Sequence, residues 1–397
     1  MSAKDDIISG AVWNEFCDAL KQAGRQVLRP ETPASVLDRA EGWRYLTRLL
    51  RIGLEMHLEF ADPDFPGFFL PSHETGKIGA DNPDNRYLFA KINGRNEYVI
   101  RGTRGTVSYL SIGTQKGGYE TNGRMEQTGF IDAKEIQYDS EGRFEIVLSA
   151  NQQPGNNASG TYCGDPRESG GSPEGTRPKD GPRNWLRIEP DSNAVIVRQT
   201  FLDRAKERPA QMTIERRSAD TRPRPLSAAR LQQGLSNTAR FVEGTAKLFA
   251  DWAQGYQSHT NQLPPADQAL CQSVGGDPNI YYYHSYWKLA PDEALVIHIP
   301  RIPKCHFWNL QVNNYWMESL DYRYYRIHHN PHTVKFDADG GVTLVLAHRD
   351  PKHPNWLETA GHDNGTLCLR WVGAEEHVHP ETRVVKLMDL ATVIPAA

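Results

Sequence analysis

VTLVLAHRDPKHPNWLETAGHDNGTLCLRW, residues 342–371, decides how the chain is organised: an apolar strand, a proline-rich loop carrying Asn-Trp-Leu, a glycine turn, then a second apolar strand closing on Arg-Trp. The same phrase stands earlier. FDADGGVTLVLAH (336–348) aligns without a gap on YDSEGRFEIVLSA (138–150), matching Asp337 to Asp139, Gly340 to Gly142 and Leu346 to Leu148. Each copy is followed by Asn-Trp-Leu, at 184–186 and 355–357, and then by an apolar strand with an arginine near its end, Arg198 and Arg370. These repeats predict one β module used twice.

Around both copies the apolar rhythm is two, the period of a strand with one buried face. YLFAKI, EYVIRG, TVSYLSIG, FEIVLSA and AVIVRQTF are short, β-branched and aromatic, and Asn-Gly and other glycine turns between them predict antiparallel hairpins. IYYYHSYWKL, ALVIHIP, CHFWNLQV, TLVLAH and TLCLRW repeat the pattern from about residue 277. The opening GGDPNIYYYHSYW echoes GADNPDNRYLFAKI, and HFWNLQV echoes VSYLSI. Strands with one apolar face need a second sheet about 10 Å away, so two tandem antiparallel sandwiches or jelly rolls follow.

Elsewhere the period is helical. Ile7, Ile8, Ala11, Val12, Phe16 and Leu20 mark one helix, ended near Gly24. A second, from Thr32-Pro33, carries Leu37, Ala40, Leu46, Leu49, Leu50 and Leu54 and stops at ADPDFPG (61–67). A third covers 226–258, after a charged, proline-bounded linker at 209–225, and braces the two modules. The fold class expected is therefore mainly β with helical additions, α+β: helices over 1–66, a first sandwich over 67–217, linker and bracing helix over 218–272, and a second sandwich over 273–397. Residues 151–183, rich in Gly, Pro and Ser, are either a lid over a site or a disordered insertion.

A chain of 397 residues buries sizeable cores without staples, and a formal charge of -4 gives no general drive toward nucleic acid or anionic membrane. Cys17, Cys163, Cys271, Cys305 and Cys368 form no CxxC pair and suit a reducing compartment. The start, MSAKDDIISG, lacks a basic and then apolar leader, and no apolar run approaches the ~18 residues of a membrane span, so a cytoplasmic protein is expected.

DPKHPNWLETAGHDNGTLCLRW, the DADGG turn before it and the FWNLQ strand resemble the C-terminal module of domain-of-unknown-function family 1214 (DUF1214). GADNPDNRY followed by YVIRG resembles a looser form of the opening strand of its companion, family 1254 (DUF1254). The resemblance implies tandem β-sandwich or jelly-roll modules with helical additions in bacterial cytosolic proteins. It implies no settled reaction, and likeness to carbohydrate-active folds is analogy.

No GxSxG elbow, HExxH, Walker A loop or GxGxxG after a strand is present, which argues against the α/β serine hydrolases, zincins, P-loop enzymes and Rossmann dehydrogenases. The densest polar stretch is the loop region holding His348, Arg349, Asp350, His353, Asn355, Trp356, Glu358, His362 and Asp363. Asp350 and Glu358 have the chemistry of an acid/base pair, with His348 or His353 tuned near neutral pH for proton transfer and His348 taken as the third candidate. The competing reading is that Asn355 and Asp350 tie the loop down and Trp356 plugs the sandwich edge, since Asn-Trp-Leu recurs in the first module without histidines.

His328, His329 and His332, and His377 with His379, have ligand-like spacing, but the cupin pattern fails at Gly373 and Glu381, so no metal is assigned. DNPD (81–84) reads as an Asx turn before a calcium loop, and Arg101 and Arg104 as a solvated hairpin before an anion clamp. Trp308, Asn309, Asn355, Trp356, Arg370 and Tyr283 are the expected binding residues. Aromatic faces, amides and arginine suit a sugar, polyol or planar organic molecule, although ordinary packing also explains the aromatics. The functional expectation is an enzyme, hydrolase- or lyase-like, working by acid/base chemistry on a polar or glycoside-like small molecule without nucleotide cofactor. The alternative is a non-catalytic ligand-binding or assembly protein, and homo-oligomers are compatible with either.

Overall fold

A computed structural model describes residues 2–151, 157–158, 183–217 and 222–394; most of the 151–183 loop, read as lid or insertion, lies outside the described residues. The first module comprises β1 (Asn85–Lys91), β2 (Tyr98–Thr103), β3 (Tyr109–Gly118), β4 (Arg124–Asp132), β5 (Arg143–Ser149), β6 (Asn157–Ala158), β7 (Arg183–Arg187), β8 (Ala194–Thr200) and β9 (Gln211–Arg216). The second comprises β10 (Ile280–Lys288), β11 (Glu293–Ile299), β12 (Phe307–Asn313), β13 (His328–His329), β14 (Val342–Ala347), β15 (Trp356–Glu358), β16 (Asn364–Val372) and β17 (Glu381–Lys386). Sheet orders β1-β8-β3-β4 and β6-β7-β5-β2-β9 in the first recur as β10-β16-β12-β13 and β15-β14-β11-β17 in the second.

The duplication extends to register. Val147 pairs with Trp185 in a parallel ladder, and so does Val345 with Trp356. Asn184 Nδ2 donates to the carbonyls of Gln137 and Glu145 while its Oδ1 accepts from Gln137 N; Asn355 repeats this on Lys335 and Thr343. Asn-Trp-Leu is therefore a strand clamp. It fixes the parallel strand that the antiparallel expectation did not contain, because a parallel neighbour cannot be reached by a short hairpin. Gly142 and Gly340 both adopt positive φ, 75° and 86°, in the turn that precedes the clamped strand.

Within each module the two sheets enclose an apolar core, around Ile100, Leu110, Ile146 and Val197 in the first and around Trp287, Leu310, Leu344 and Leu369 in the second. A third core lies between modules. Phe89, Met125 and Ile196 from the outer face of one sheet and Tyr286 and Cys368 from the other pack with helices α3 (Val36–Leu54) and α4 (Ala228–Tyr256). This covering explains why β8, AVIVRQT, is buried at every residue: both its faces look onto protein.

The helices differ from their sequence reading in detail. Gly10, at φ 78°, breaks the first into α1 (Ala3–Ser9) and α2 (Ala11–Ala23). Ser35, not Thr32, caps α3, accepting from Asp38 N at 3.0 Å. Part of the expected linker is β9, an edge strand beside β2 whose alternating Met212 and Ile214 hide among charged neighbours. A short helix, α5 (Gln268–Ser273), follows α4.

Candidate functional site

The two modules meet through matching turns. In the first, Asn82 Oδ1 accepts from Asp84 N at 2.9 Å and Asn82 N donates to Tyr87 Oη at 3.1 Å. In the second, Asp277 Oδ1 accepts from Asn279 N at 2.9 Å and Asp277 N donates to Tyr282 Oη at 3.3 Å. Each turn is gripped by the central strand of the other module. Asn309 on β12 donates to Asn82 Oδ1 and Asp84 Oδ2 at 2.6 and 3.0 Å, while Ser111 and Tyr109 on β3 donate to Asp277 at 2.6 and 3.2 Å. DNPD is thus the Asx turn the sequence favoured, and its acids are engaged by protein. Asp81 accepts from Ser319 N and Oγ, and Asp84 from Asn330 Nδ2 at 3.0 Å with His328 Nε2 3.2 Å away.

Beneath these turns lies a cavity of about 160 Å3. Met56, Ile78, Phe89, Ile196, Phe249 and Trp252 are among its apolar walls, contributed by both modules, α3's π-helical extension (Glu55–Glu59) and α4. Two arginines reach it, one from each module. Register places them identically: Tyr87 pairs with Arg198, and Tyr282 with Arg370. All four residues line the cavity.

Arg198 Nη2 donates to the Gly275 carbonyl and Arg370 Nη2 to the Ala80 carbonyl, both carbonyls belonging to residues at positive φ, 97° and 56°, in the partner module's turn. Arg370 Nη1 also reaches Gln311 Oε1 at 2.6 Å and Asn309 Oδ1 at 3.4 Å. Both residues are buried, 8% and 4% exposed, and no Asp or Glu is among the described residues that line the cavity with them. His284 completes the wall, its ring stacked on Tyr256 with centroids 5.2 Å apart. Burial, with Arg370 nearby, pushes its pKa down to about 3, so the imidazole is neutral, and its Nδ1 has no hydrogen-bond partner. Ser72 and Asn85 also line an outer basin that holds Arg86, Arg204 and Tyr322, so basin and cavity share a wall.

Of the residues expected from sequence, Arg370 lines the cavity. Asn309 holds both the partner turn and Arg370 from behind. Trp308 and Tyr283 point into the second sandwich core, where Tyr283 Oη donates to Val378 O at 3.2 Å. Asn355 is the clamp already described, and Trp356 Nε1 donates to Ala347 O at 3.0 Å. Asp350 is exposed and accepts from Lys352 N and Nζ at 2.8 and 3.0 Å. His348 lies 3.0 Å from Thr359 Oγ1 and 3.3 Å from Leu289 O, and Glu358 accepts from Arg326 N at 2.9 Å. None of these three lines the cavity or hydrogen-bonds to another of them.

His377 stacks on Tyr281 at 3.7 Å, His379 Nδ1 lies 3.0 Å from Tyr283 Oη, and Arg101 pairs with Glu145 and Glu215. Among the described residues no group of three or more His, Cys, Asp or Glu is placed to hold a metal ion, and no helix is long and apolar enough to cross a membrane.

Sequence reasoning missed Arg198, Tyr87, Tyr282 and His284 as site residues. A signal for the arginines existed: a polar fork inside AVIVRQT or TLCLRW, strands too apolar to have a wet face, must open onto a cavity or a partner. For the tyrosines there was none without register, since Tyr282 and Tyr283 differ by one position and face opposite ways.

The model of the family described as "Protein of unknown function (DUF1214)" matches residues 287–376. A crystal structure of an uncharacterized protein from Burkholderia cenocepacia is 57% identical, with TM-score 0.89, over 98% of this chain and 99% of that one. The VPA0106 protein from Vibrio parahaemolyticus aligns at 14% identity and TM-score 0.47, over 87% of this chain and 98% of that one. Among curated proteins none matches. The chain belongs to the same family as the Burkholderia protein, which it matches over nearly its whole length, and its residues 287–376 match the DUF1214 model.

Proposed function

We propose that the chain is a ligand-binding protein whose site is the cavity between its modules, sized for one compact organic molecule. The observation that carries this is the convergence of equivalent residues, Tyr87 with Arg198 and Tyr282 with Arg370, on one cavity. Neither sandwich alone would make such a site. A dry apolar cavity of about 150 Å3 is enough to admit benzene, and the volume here, about 160 Å3, is of that order. A full sugar ring with its hydroxyls would leave many polar groups against Met56, Phe89 and Phe249, so the sugar or polyol expectation is narrowed to smaller, mostly apolar molecules.

Acid/base turnover at Asp350, His348 and Glu358 is the competing reading, and it draws no support from side chains tied separately to Lys352, Thr359 and Arg326. The free thiols of Cys17, Cys271, Cys305 and Cys368 support the cytoplasm as compartment, and the GADNPDNRY turn supports taking the first module as the family 1254 companion.

Toluene and phenol, neutral and about one ring in size, test the cavity by thermal shift and calorimetry. Binding to the native chain that disappears in Ile196→Phe, where the new ring occupies the space, is the expected result. Binding that survives this substitution places the site elsewhere and overturns the reading.

A further inference from the structure

The cavity is rich in unspent donors. Among the described residues Arg198 gives one of its five N–H groups to protein, at Gly275 O, and Arg370 keeps donors beyond those given to Ala80, Gln311 and Asn309. Tyr87 and Tyr282 accept backbone N–H bonds at their phenol oxygens, which leaves each phenol hydrogen free to be given away. Burial raises the Tyr282 pKa above its ordinary value, so that hydrogen stays in place at neutral pH.

No Asp or Glu is among the described residues that line the cavity, and the hydroxyls of Tyr119 and Ser72 give their hydrogens to Val274 O and Gly76 O. Asp277 and Asp81, whose charges act on Arg198 and Arg370, are occupied by Tyr109, Ser111 and Asn279 and by Ser319. Asp277 and Asp81 offset part of the cost of burying the two guanidiniums but hydrogen-bond to neither, which leaves N–H groups facing the cavity for a bound anion to meet.

Resting on the reading of the cavity as a ligand site, we propose that its occupant is a compact monocarboxylic acid whose carboxylate lies between Arg198 and Arg370 and accepts from Tyr87 and Tyr282, with a one-ring or branched aliphatic body against Met56, Phe89, Ile196 and Phe249. Shape argues for a carboxylate over a phosphate. Guanidinium forks match a planar two-oxygen group, whereas a phosphate would bring a larger, more strongly hydrated charge into space too small to keep its water. The forks are also preorganised, because Gly275 O and Ala80 O fix the plane of each guanidinium before the ligand arrives.

Benzoate, its neutral isostere benzamide, and toluene separate the two levels of the claim by calorimetry on the full chain. Benzoate is expected to bind at least about tenfold tighter than benzamide, and Arg198→Gln is expected to remove that preference while toluene still binds. Arg198→Lys, which keeps the charge and loses the fork, serves if the glutamine variant fails to fold, and should weaken benzoate specifically. If benzamide or toluene binds as tightly as benzoate, the carboxylate inference is overturned and the cavity reading stands. Benzoate preference left intact in Arg198→Lys and Arg198→Gln overturns the inference as well. No binding by any of the three overturns both.

Discussion

Arg198 on β8 donates to the backbone carbonyl of Gly275, a residue of the other module held at φ 97°. Its counterpart Arg370 does the same to Ala80 at φ 56°, so each module's arginine is anchored on a left-handed residue of its neighbour's turn. The interface and the cavity are one construction. Strain at the turn is therefore read out in the site.

Gly275→Ala tests that coupling. An alanine there keeps a left-handed backbone at a cost of about 1–2 kcal/mol, and its Cβ would sit 3.2 Å from Met125 Sδ in the cavity wall. Urea denaturation should show a loss of this size, accompanied by weaker binding of a cavity ligand. A stability loss with ligand affinity untouched would show that the turn and the site are independent.

Asn184→Ala and Asn355→Ala should cost nearly the same. Both side chains are 1% exposed and make equivalent bonds to three backbone groups. Removing either leaves buried N–H and C=O groups unpaired, a loss of about 2–4 kcal/mol. Equal shifts in denaturation midpoint support the clamp in both copies. A markedly larger effect on ligand binding than on stability for Asn355 alone would return it to the site.

This clamp also shows what the sequence made legible. YDSEGRFEIVLSA against FDADGGVTLVLAH, with Asn-Trp-Leu behind each, was enough to see the repeat, because hydrogen bonds to side chains at fixed offsets leave residue identities in place. The two-sheet modules and the covering helices followed from period alone. What could not be read was the meeting of the modules. Asn82 with Asp84 and Asp277 with Asn279 exchange the amide and the acid between copies, and their grip by Asn309 and by Ser111 is a long-range contact that no local pattern encodes. The loop with the most ionisable groups is the conspicuous feature of the sequence, whereas the charged groups facing the cavity are single arginines inside apolar strands.

Asp350→Ala separates the two possible sites. The carboxylate is exposed and satisfied by Lys352 in its own turn, so its removal should leave the unfolding midpoint where it was. Ligand affinity at the cavity should be unchanged too. Turnover of any substrate that collapses in this variant, with folding and cavity binding intact, would reinstate the acid/base enzyme of the later module's loops.

His362 and Glu41 make the stability of the chain depend on pH. His362 Nε2 lies 2.7 Å from Glu41 Oε2, and both are buried where α3 docks on the second module. Burial disfavours both charges, but the hydrogen bond and charge of each partner prevail: the histidine pKa rises above 6.5 and the glutamate pKa falls below 4.5. A raised histidine stabilises fully below 6.5 and loses that contribution as pH climbs through its folded value; a depressed glutamate stabilises above 4.5 and loses its share as pH falls through its own. The pair is strongest between those two values. His362→Gln should then cost about 3 kcal/mol in that window and less at higher pH. Neighbouring Glu318, whose pKa burial raises despite Arg48, is common to both proteins and drops out of the comparison to first order. Unfolding free energies of the two chains, measured from about pH 5 to about pH 9, should converge as the imidazolium titrates. A constant gap across that range would mean that His362 contributes through packing and not through its charge.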